Sequence, residues 1–194
     1  PKMIVSTPTV PKFKPEVSIK DLAQNPVVKE TNESDNEIME RLRQRFGILD
    51  DMTKAVKRGD IRAMIVSGPP GVGKSYNVEE VLSKHDVLAN VANDQKLKKY
   101  EVVKGAMSPL GLYMKLHEFK DKKSIVVFDD CDSVLLDDLS LNILKAALDT
   151  GKKRMIHWNT DSRALRAEHI DNSFEFKGGA IFITNIKFDH VRSK

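Results

Sequence analysis

The sequence predicts an α/β fold in which a parallel sheet is covered by helices on both faces. Apolar runs at Ala63–Ser67, Ser124–Asp129 and Ala180–Thr184 read as strands. The second is uninterrupted through Ile125-Val126-Val127-Phe128, as in strands buried on both sides. Stretches of helical period separate these runs, and strands that alternate with helices pair in parallel. The first strand also leads straight into a glycine-rich turn that opens a helix.

Five of the eight prolines fall within the first 26 residues. Residues 1–36 therefore read as an extended arm or linker, which either docks onto a neighbouring subunit or only tethers. Residues 37–194 read as one core domain. Ser34 with Glu37 makes a capping box, and Ile38, Met39, Leu42 and Phe46 recur at helical spacing up to Gly47. A second helix is expected over Asp50–Lys57, ended by Arg58-Gly59-Asp60. The helix after the glycine turn runs from about Lys74 to Ser83. Tyr100–Lys104 reads as a further strand, and Leu110–Phe119 as a helix that offers Leu112, Met114, Leu116 and Phe119 for packing. Leu139–Leu148 is an amphipathic helix, and Asp137 and Asp138 sit where helix N-terminal acids are favoured. Between it and the Ala180 strand lies an insertion, Lys152–Lys177. Its Arg154–Trp158 and Phe174–Lys177 segments are expected to pair as a β-hairpin, with a short helix over Ser162–Glu168.

At 194 residues and 40% hydrophobic content the chain can bury one sizeable core. Both charge signs are mixed and the net charge is +4, a balance that permits nucleic-acid contact without demanding it. The single cysteine, Cys131, excludes an internal disulfide framework and suits a reducing, cytoplasmic setting. No apolar run approaches the length of a membrane span, so no membrane partner is expected. The five histidines show no metal-ligand spacing. A first residue of Pro instead of Met suggests a piece of something longer.

Residues 68–75, Gly-Pro-Pro-Gly-Val-Gly-Lys-Ser, fit G-x-x-x-x-G-K-[ST] at every fixed position. In such a turn backbone N–H groups close on phosphate oxygens, and the next helix presents its positive end to them. Gly68, Pro69, Pro70, Gly71, Val72 and Gly73 would cradle the phosphates. Lys74 would reach the β- and γ-phosphates, the Ser75 hydroxyl would take a Mg²⁺ position, and Tyr76 would complete the nucleotide contacts. The expected ligands are thus ATP and Mg²⁺.

The strand ending Phe128-Asp129-Asp130 puts its first carboxylate at the C-terminal rim of a central strand, where ligands bind in open α/β sheets. Asp129 would hold Mg²⁺ through its water shell. Asp130 is positioned to orient or deprotonate an attacking water; its bland alternative is a solvated acidic loop. Asn185, at the tip of the Ala180 strand, is either a hydrogen-bond partner of the γ-phosphate or lytic water, or a strand-terminating turn residue.

Together these three pieces resemble the AAA+ ATPases, over roughly Phe46 to Asn185. Gly68–Ser75 looks like their Walker A, Phe128–Leu135 like their Walker B, and Asn185 holds their sensor-1 position. The resemblance implies a three-layer P-loop NTPase fold with strand order 5-1-4-3-2 and hydrolysis between subunits of a homo-oligomeric ring. It implies catalytic roles for Lys74, Asp130 and Asn185, and an adenine cradle at Phe46-Gly47-Ile48. The usual Glu of Walker B is here Asp130, one methylene shorter. The lid, the sensor-2 arginine and an arginine finger are not found before Lys194, so weak turnover is expected of this piece alone.

The aromatic pore loop of protein-threading members is not seen. A hairpin at Lys152–Lys177 resembles the pre-sensor-1 hairpin of several AAA+ branches. There Arg154, Arg163 and Arg166, with Trp158 interleaved, would suit phosphate contact and base stacking. The alternative is a basic solvated hairpin with Trp158 packed beneath it. DNA metabolism is the leaning, with a protein remodeller or an ATP-gated switch as rivals; the client is not identified.

Overall fold

The computed structural model of the chain describes residues 34–85, 91 and 99–186. The expected arm lies almost wholly outside them, and so do residues 187–194. The chain divides into Pro1–Ile38 and Met39–Lys194, and the second unit carries the sheet.

The first helix, α1, runs unbroken over Asp35–Arg58. The capping box forms, with Ser34 N–H donating to Glu37 Oε2 at 2.8 Å and Glu37 N–H to Ser34 Oγ at 3.4 Å. Two helices parted at Gly47 are thereby corrected to one. A lone helical glycine costs only about 1 kcal/mol against alanine. The face Phe46, Leu49, Thr53, Val56 continues at helical spacing across it, with Thr53 and Val56 buried.

β1 (Ala63–Ser67), α2 (Lys74–His85), β2 (Tyr100–Lys104), α3 (Pro109–Glu118) and β3 (Ile125–Asp129) follow in order. A short helix not foreseen from the sequence, α4 (Asp132–Leu136), comes before α5 (Asp138–Ala147). Asp137 caps α5 by accepting from Ser140 N–H at 2.7 Å, which holds its carboxyl below the usual carboxylate range. The insertion supplies β4 (Met155–His157), α6 (Arg163–Ala167) and β5 (Ser173–Glu175), and β6 (Gly179–Thr184) ends the described chain.

Four strands make one parallel sheet in the order β1-β6-β3-β2. Successive side chains of a strand point to opposite faces, so one apolar strand feeds two cores. Val126 and Phe128 of β3, with Ala180 and Phe182 of β6, pack towards α3 and α5; Phe128 and Phe182 stack at 5.0 Å. Ile125, Val127, Ile181 and Ile183 pack on the other face with Val56 of α1 and Val78 and Leu82 of α2. Each such side chain, fully buried, contributes about 1.5–3 kcal/mol. The result is helix, sheet, helix.

β4 and β5 pair antiparallel in a sheet of their own, Ile156 opposite Phe174. Their inward residues join the α3–α5 core around Tyr113, whose hydroxyl donates to Asp171 O at 2.7 Å. Gly178 enters β6 by passing so close to the end of α3 that an added Cβ would collide with Phe119 O. Only glycine fits there.

Candidate functional site

Parallel pairing brings the C-terminal ends of β1, β6 and β3 to one rim. From β1 the chain turns through Gly68–Gly73 into α2, with Gly71 at φ 78° and Gly73 at φ 92°. These are left-handed conformations that glycine adopts without strain. Gly68 N–H donates to Thr184 O at 3.3 Å, which ties the start of the turn to the end of β6.

Lys74 opens α2 and is only 9% exposed. Its Nζ donates to Gly68 O at 2.9 Å, Pro69 O at 2.8 Å and Asn185 Oδ1 at 3.0 Å. An ammonium has three donors, and each has an acceptor. The next residue, Ser75, donates from Oγ to Asp129 Oδ1 at 2.8 Å. Asp129 is 5% exposed, and its other oxygen lies 3.3 Å from Lys104 Nζ. Lys104 also pairs with Glu79 at 3.2 Å. Its bond to Glu79, then that to Asp129, raises its pKa above the ordinary lysine value.

Asp130 follows β3 at φ 54°, a left-handed position that Asp tolerates better than most residues. Its N–H donates to Ile183 O at 3.0 Å, which anchors the bend to β6. Its Oδ1 accepts from Asn185 Nδ2 at 3.0 Å. Because Lys74 can only donate, the Asn185 oxygen must face it and the amide nitrogen must face Asp130. Thr184, buried, donates to Asp132 Oδ1 at 2.5 Å and accepts from Ile186 N–H at 3.0 Å, so the turn carrying Asn185 is held from both sides. Cys131, between the acids, is buried, and burial pushes its thiol pKa up; it is not a ready nucleophile.

Of these groups, Lys74, Ser75, Asp129, Asp130 and Asn185 line a cleft of about 300 Å³, which Pro70 and Tyr76 also border. A second, more apolar cleft of about 370 Å³ lies against the same turn, walled by Leu42, Arg45, Phe46, Leu49 and Val72. Phe46 thus borders this cleft, whereas Gly47 and Ile48 do not. Both lie within α1, and Ile48 is 63% exposed. Helical periodicity explains this: the cleft-facing set is 42, 45, 46 and 49, so 47 and 48 turn away.

The basic residues of the insertion do not assemble as expected. Arg154 is 9% exposed; it donates to Ala147 O and Gly178 O, each at 3.1 Å, and lies 5.0 Å from the Phe176 ring centre. It is corrected from nucleic-acid contact to structural clamp. Trp158 packs on Tyr113 with ring centres 5.6 Å apart, and its Nε1 is buried. Arg163 and Arg166 remain exposed on α6, and Arg166 pairs with Asp161 at 2.8 Å.

Sequence reasoning missed Lys104, Glu79, Thr184 and the apolar cleft. The signal for Lys104 was available: it closes β2 as Asp129 closes β3, and the register sets the two opposite each other. Among the described residues no group of three or more His, Cys, Asp or Glu side chains could hold a metal. A cation here would rest on Ser75, Asp129, phosphate oxygens and water, which suits Mg²⁺. Among the described residues no helix is long and apolar enough to cross a membrane.

No family model matches the chain. It is similar to an uncharacterized 36.7 kDa protein in the nrdC-mobD intergenic region of Enterobacteria phage T4, with 38% identity over 162 residues. The match takes in 84% of this chain and 47% of that protein, so the chain spans about half the length of the curated relative it matches.

Proposed function

We propose that this chain is the nucleotide-binding core of an AAA+ ATPase, which hydrolyses Mg-ATP to drive conformational work in a homo-oligomer. One observation carries the reading: Lys74, Ser75, Asp129, Asp130 and Asn185, from three separate stretches of chain, line one cleft at the C-terminal rim of a parallel sheet. The order β1-β6-β3-β2 supports it, since it is compatible with positions 1-4-3-2 of the AAA+ order 5-1-4-3-2. The remaining strand of that order would lie beside β1, whose Ile65 is 54% exposed.

The chemistry follows from the donors present. The N–H groups of the glycine turn and the first turn of α2 offer partial positive charge to phosphate oxygens. Lys74 exchanges its carbonyl partners for β- and γ-phosphate oxygens. Ser75 and Asp129 would hold Mg²⁺, which when bound would supply charge neutralisation on those phosphates. Asp130 orients and deprotonates the attacking water, and Asn185 fixes the Asp130 carboxylate while facing the γ-phosphate. The apolar cleft beside Phe46 and Leu49 receives the base. The work is cytoplasmic, in DNA metabolism. The hydrogen bond from Asn185 to Asp130 favours a second reading, an ATP-gated switch of low turnover, because it engages one of the two oxygens with which this acid, one methylene shorter than the usual Glu, would reach for water.

Calorimetric titration with ATP and ADP, with and without Mg²⁺, tests the reading. Saturable binding by the wild type, lost in Lys74→Ala and stripped of its Mg²⁺ dependence in Ser75→Ala, is expected. Indifference of the folded wild type to both nucleotides ends it.

A further inference from the structure

The rim of the sheet opposite the cleft is strongly basic. Arg62 precedes β1, Lys122 and Lys123 precede β3, and Lys177 precedes β6. Since these strands are parallel, all four cations emerge at the N-terminal ends, about 17 Å along the strands from the phosphate turn. Arg58, at the end of α1, and the buried Arg154 join them. These six cations surround a cavity of about 70 Å³. That is far below the roughly 300 Å³ of pockets that enclose whole small molecules.

Backbone hydrogen bonds hold the converging segments in place. Ala180 N–H donates to Arg62 O at 3.1 Å, Gly179 N–H to Ser124 O at 2.8 Å, and Lys177 N–H to Lys120 O at 2.7 Å. Arg154 bolts the floor through Gly178 O at 3.1 Å. Carboxylates offset only part of the charge: Asp60 pairs with Arg58 at 2.7 Å and Glu175 with Lys177 at 3.0 Å. Among the described residues no carboxylate pairs with Arg62, Lys122, Lys123 or Arg154, and Arg62 donates to a main-chain carbonyl, Asp149 O. Burial, then the Arg62 charge, lowers the Arg154 pKa below its ordinary value, and the Glu175 charge offsets this only in part.

The geometry points to a phosphate-backbone site for a nucleic-acid strand at this rim, centred on Arg62, Lys122, Lys123 and Lys177. A cavity of this size takes a single phosphate group, and the flanking exposed lysines and Arg58 suit the phosphates on either side. Guanidinium forks match phosphate oxygens two at a time, and lysines add point charge. The cavity is bordered by no aromatic side chain that could stack a base, so recognition is of the backbone and not of sequence. The site stands on its own residues and does not rest on the ATPase reading.

Anisotropy of a fluorescein-labelled single-stranded oligonucleotide, titrated with the full chain at several salt concentrations, tests it. Wild type should bind regardless of sequence, with affinity falling steeply in salt. Lys122→Glu with Lys123→Glu should weaken binding at least tenfold and reduce the log–log salt slope by about 1 to 2. Its melting curve should match that of the wild type, since both side chains are exposed. Arg163→Glu with Arg166→Glu, on α6, should bind as wild type does. Three results overturn the assignment: no binding by wild type, loss of binding only in the α6 variant, or displacement of the oligonucleotide by poly-glutamate as readily as by unlabelled strand. The last would mark an acidic-protein surface.

Discussion

Lys74 and Asn185, 111 residues apart, meet through a 3.0 Å hydrogen bond from the ammonium to the side-chain amide oxygen. The same amide donates to Asp130, so one small side chain links the lysine proposed to bind phosphate to the proposed base. Asn185→Ala breaks both links yet leaves Lys74 its two carbonyl partners. Hydrolysis should fall about 10²-fold, as when one positioned donor is removed from a reaction centre. ATP affinity should change less than about threefold, because loop N–H groups carry most of the phosphate contact. A matched pair of steady-state turnover and calorimetric binding measurements decides it; equal losses in both would make Asn185 a binding group only.

Asp130→Asn separates a working hydrolase from a switch. The asparagine oxygen can still accept from Asn185, and Asn tolerates the left-handed backbone as Asp does. The fold should therefore persist, and ATP binding with it. Turnover should drop by about 10² to 10⁴, the range for a lost general base. Turnover unchanged by the substitution would remove Asp130 from the chemistry.

Much of this was legible from residue order because the informative signals are local. Gly68–Ser75 after a β-run, an apolar strand ending in two acids, and Asn185 at a strand tip each announce themselves within a few residues. What local pattern could not give was lateral placement. Lys104 reads as a surface lysine until β2 is laid beside β3, where the register puts it against Asp129. Arg154 sits in a basic run beside Lys152 and Lys153, yet only the tertiary fold turns it inward onto Ala147 O and Gly178 O. Gly47 looked like a helix end because glycine often is one; burial of Thr53 and Val56 on the same face carried the helix through it.

Under the proposed reading, Lys104 sets how easily Mg²⁺ reaches the site. Its ammonium is 3.3 Å from Asp129 Oδ2 and adds positive charge beside the proposed metal position. The lysine is well exposed, so water screens much of this effect. Lys104→Met should lower the Mg²⁺ concentration giving half-maximal enhancement of ATP binding by about twofold to fivefold. Fluorescence of a labelled ATP analogue during Mg²⁺ titration reads this directly. A higher Mg²⁺ requirement in the variant would mean that Lys104 orients Asp129 instead of opposing the ion.

His117 makes stability depend on pH. Its ring packs edge-on to Phe174 at 5.0 Å, and burial, followed by the Lys120 charge, lowers its pKa below 6.5. The unfolded chain then takes up the proton more readily than the folded one as pH falls. This contribution is intact above about pH 6.5, the unfolded value, and is lost progressively below it. His117→Gln should therefore show a smaller fall in melting temperature between pH 7.5 and pH 5.5 than the wild type does. Parallel curves for the two proteins would refute this linkage.

Arg154 earns its burial by holding the insertion to the sheet. Its guanidinium reaches the last carbonyls of α5 through Ala147 O and the entry to β6 through Gly178 O, while its plane lies over Phe176. Arg154→Ala strands two carbonyls and empties the space above an aromatic ring. The loss should be about 3 kcal/mol, since hydrogen bonds to charged groups contribute about 1.5–3 kcal/mol each and a cation–π contact adds to them. Arg154→Lys should recover only part of it, because one ammonium cannot span both carbonyls in the geometry of a planar fork. Urea denaturation of the three proteins at pH 7 measures both steps. A cost below about 0.5 kcal/mol for the alanine variant, the range of ordinary surface substitutions, would return Arg154 to the surface role first read from its sequence neighbours.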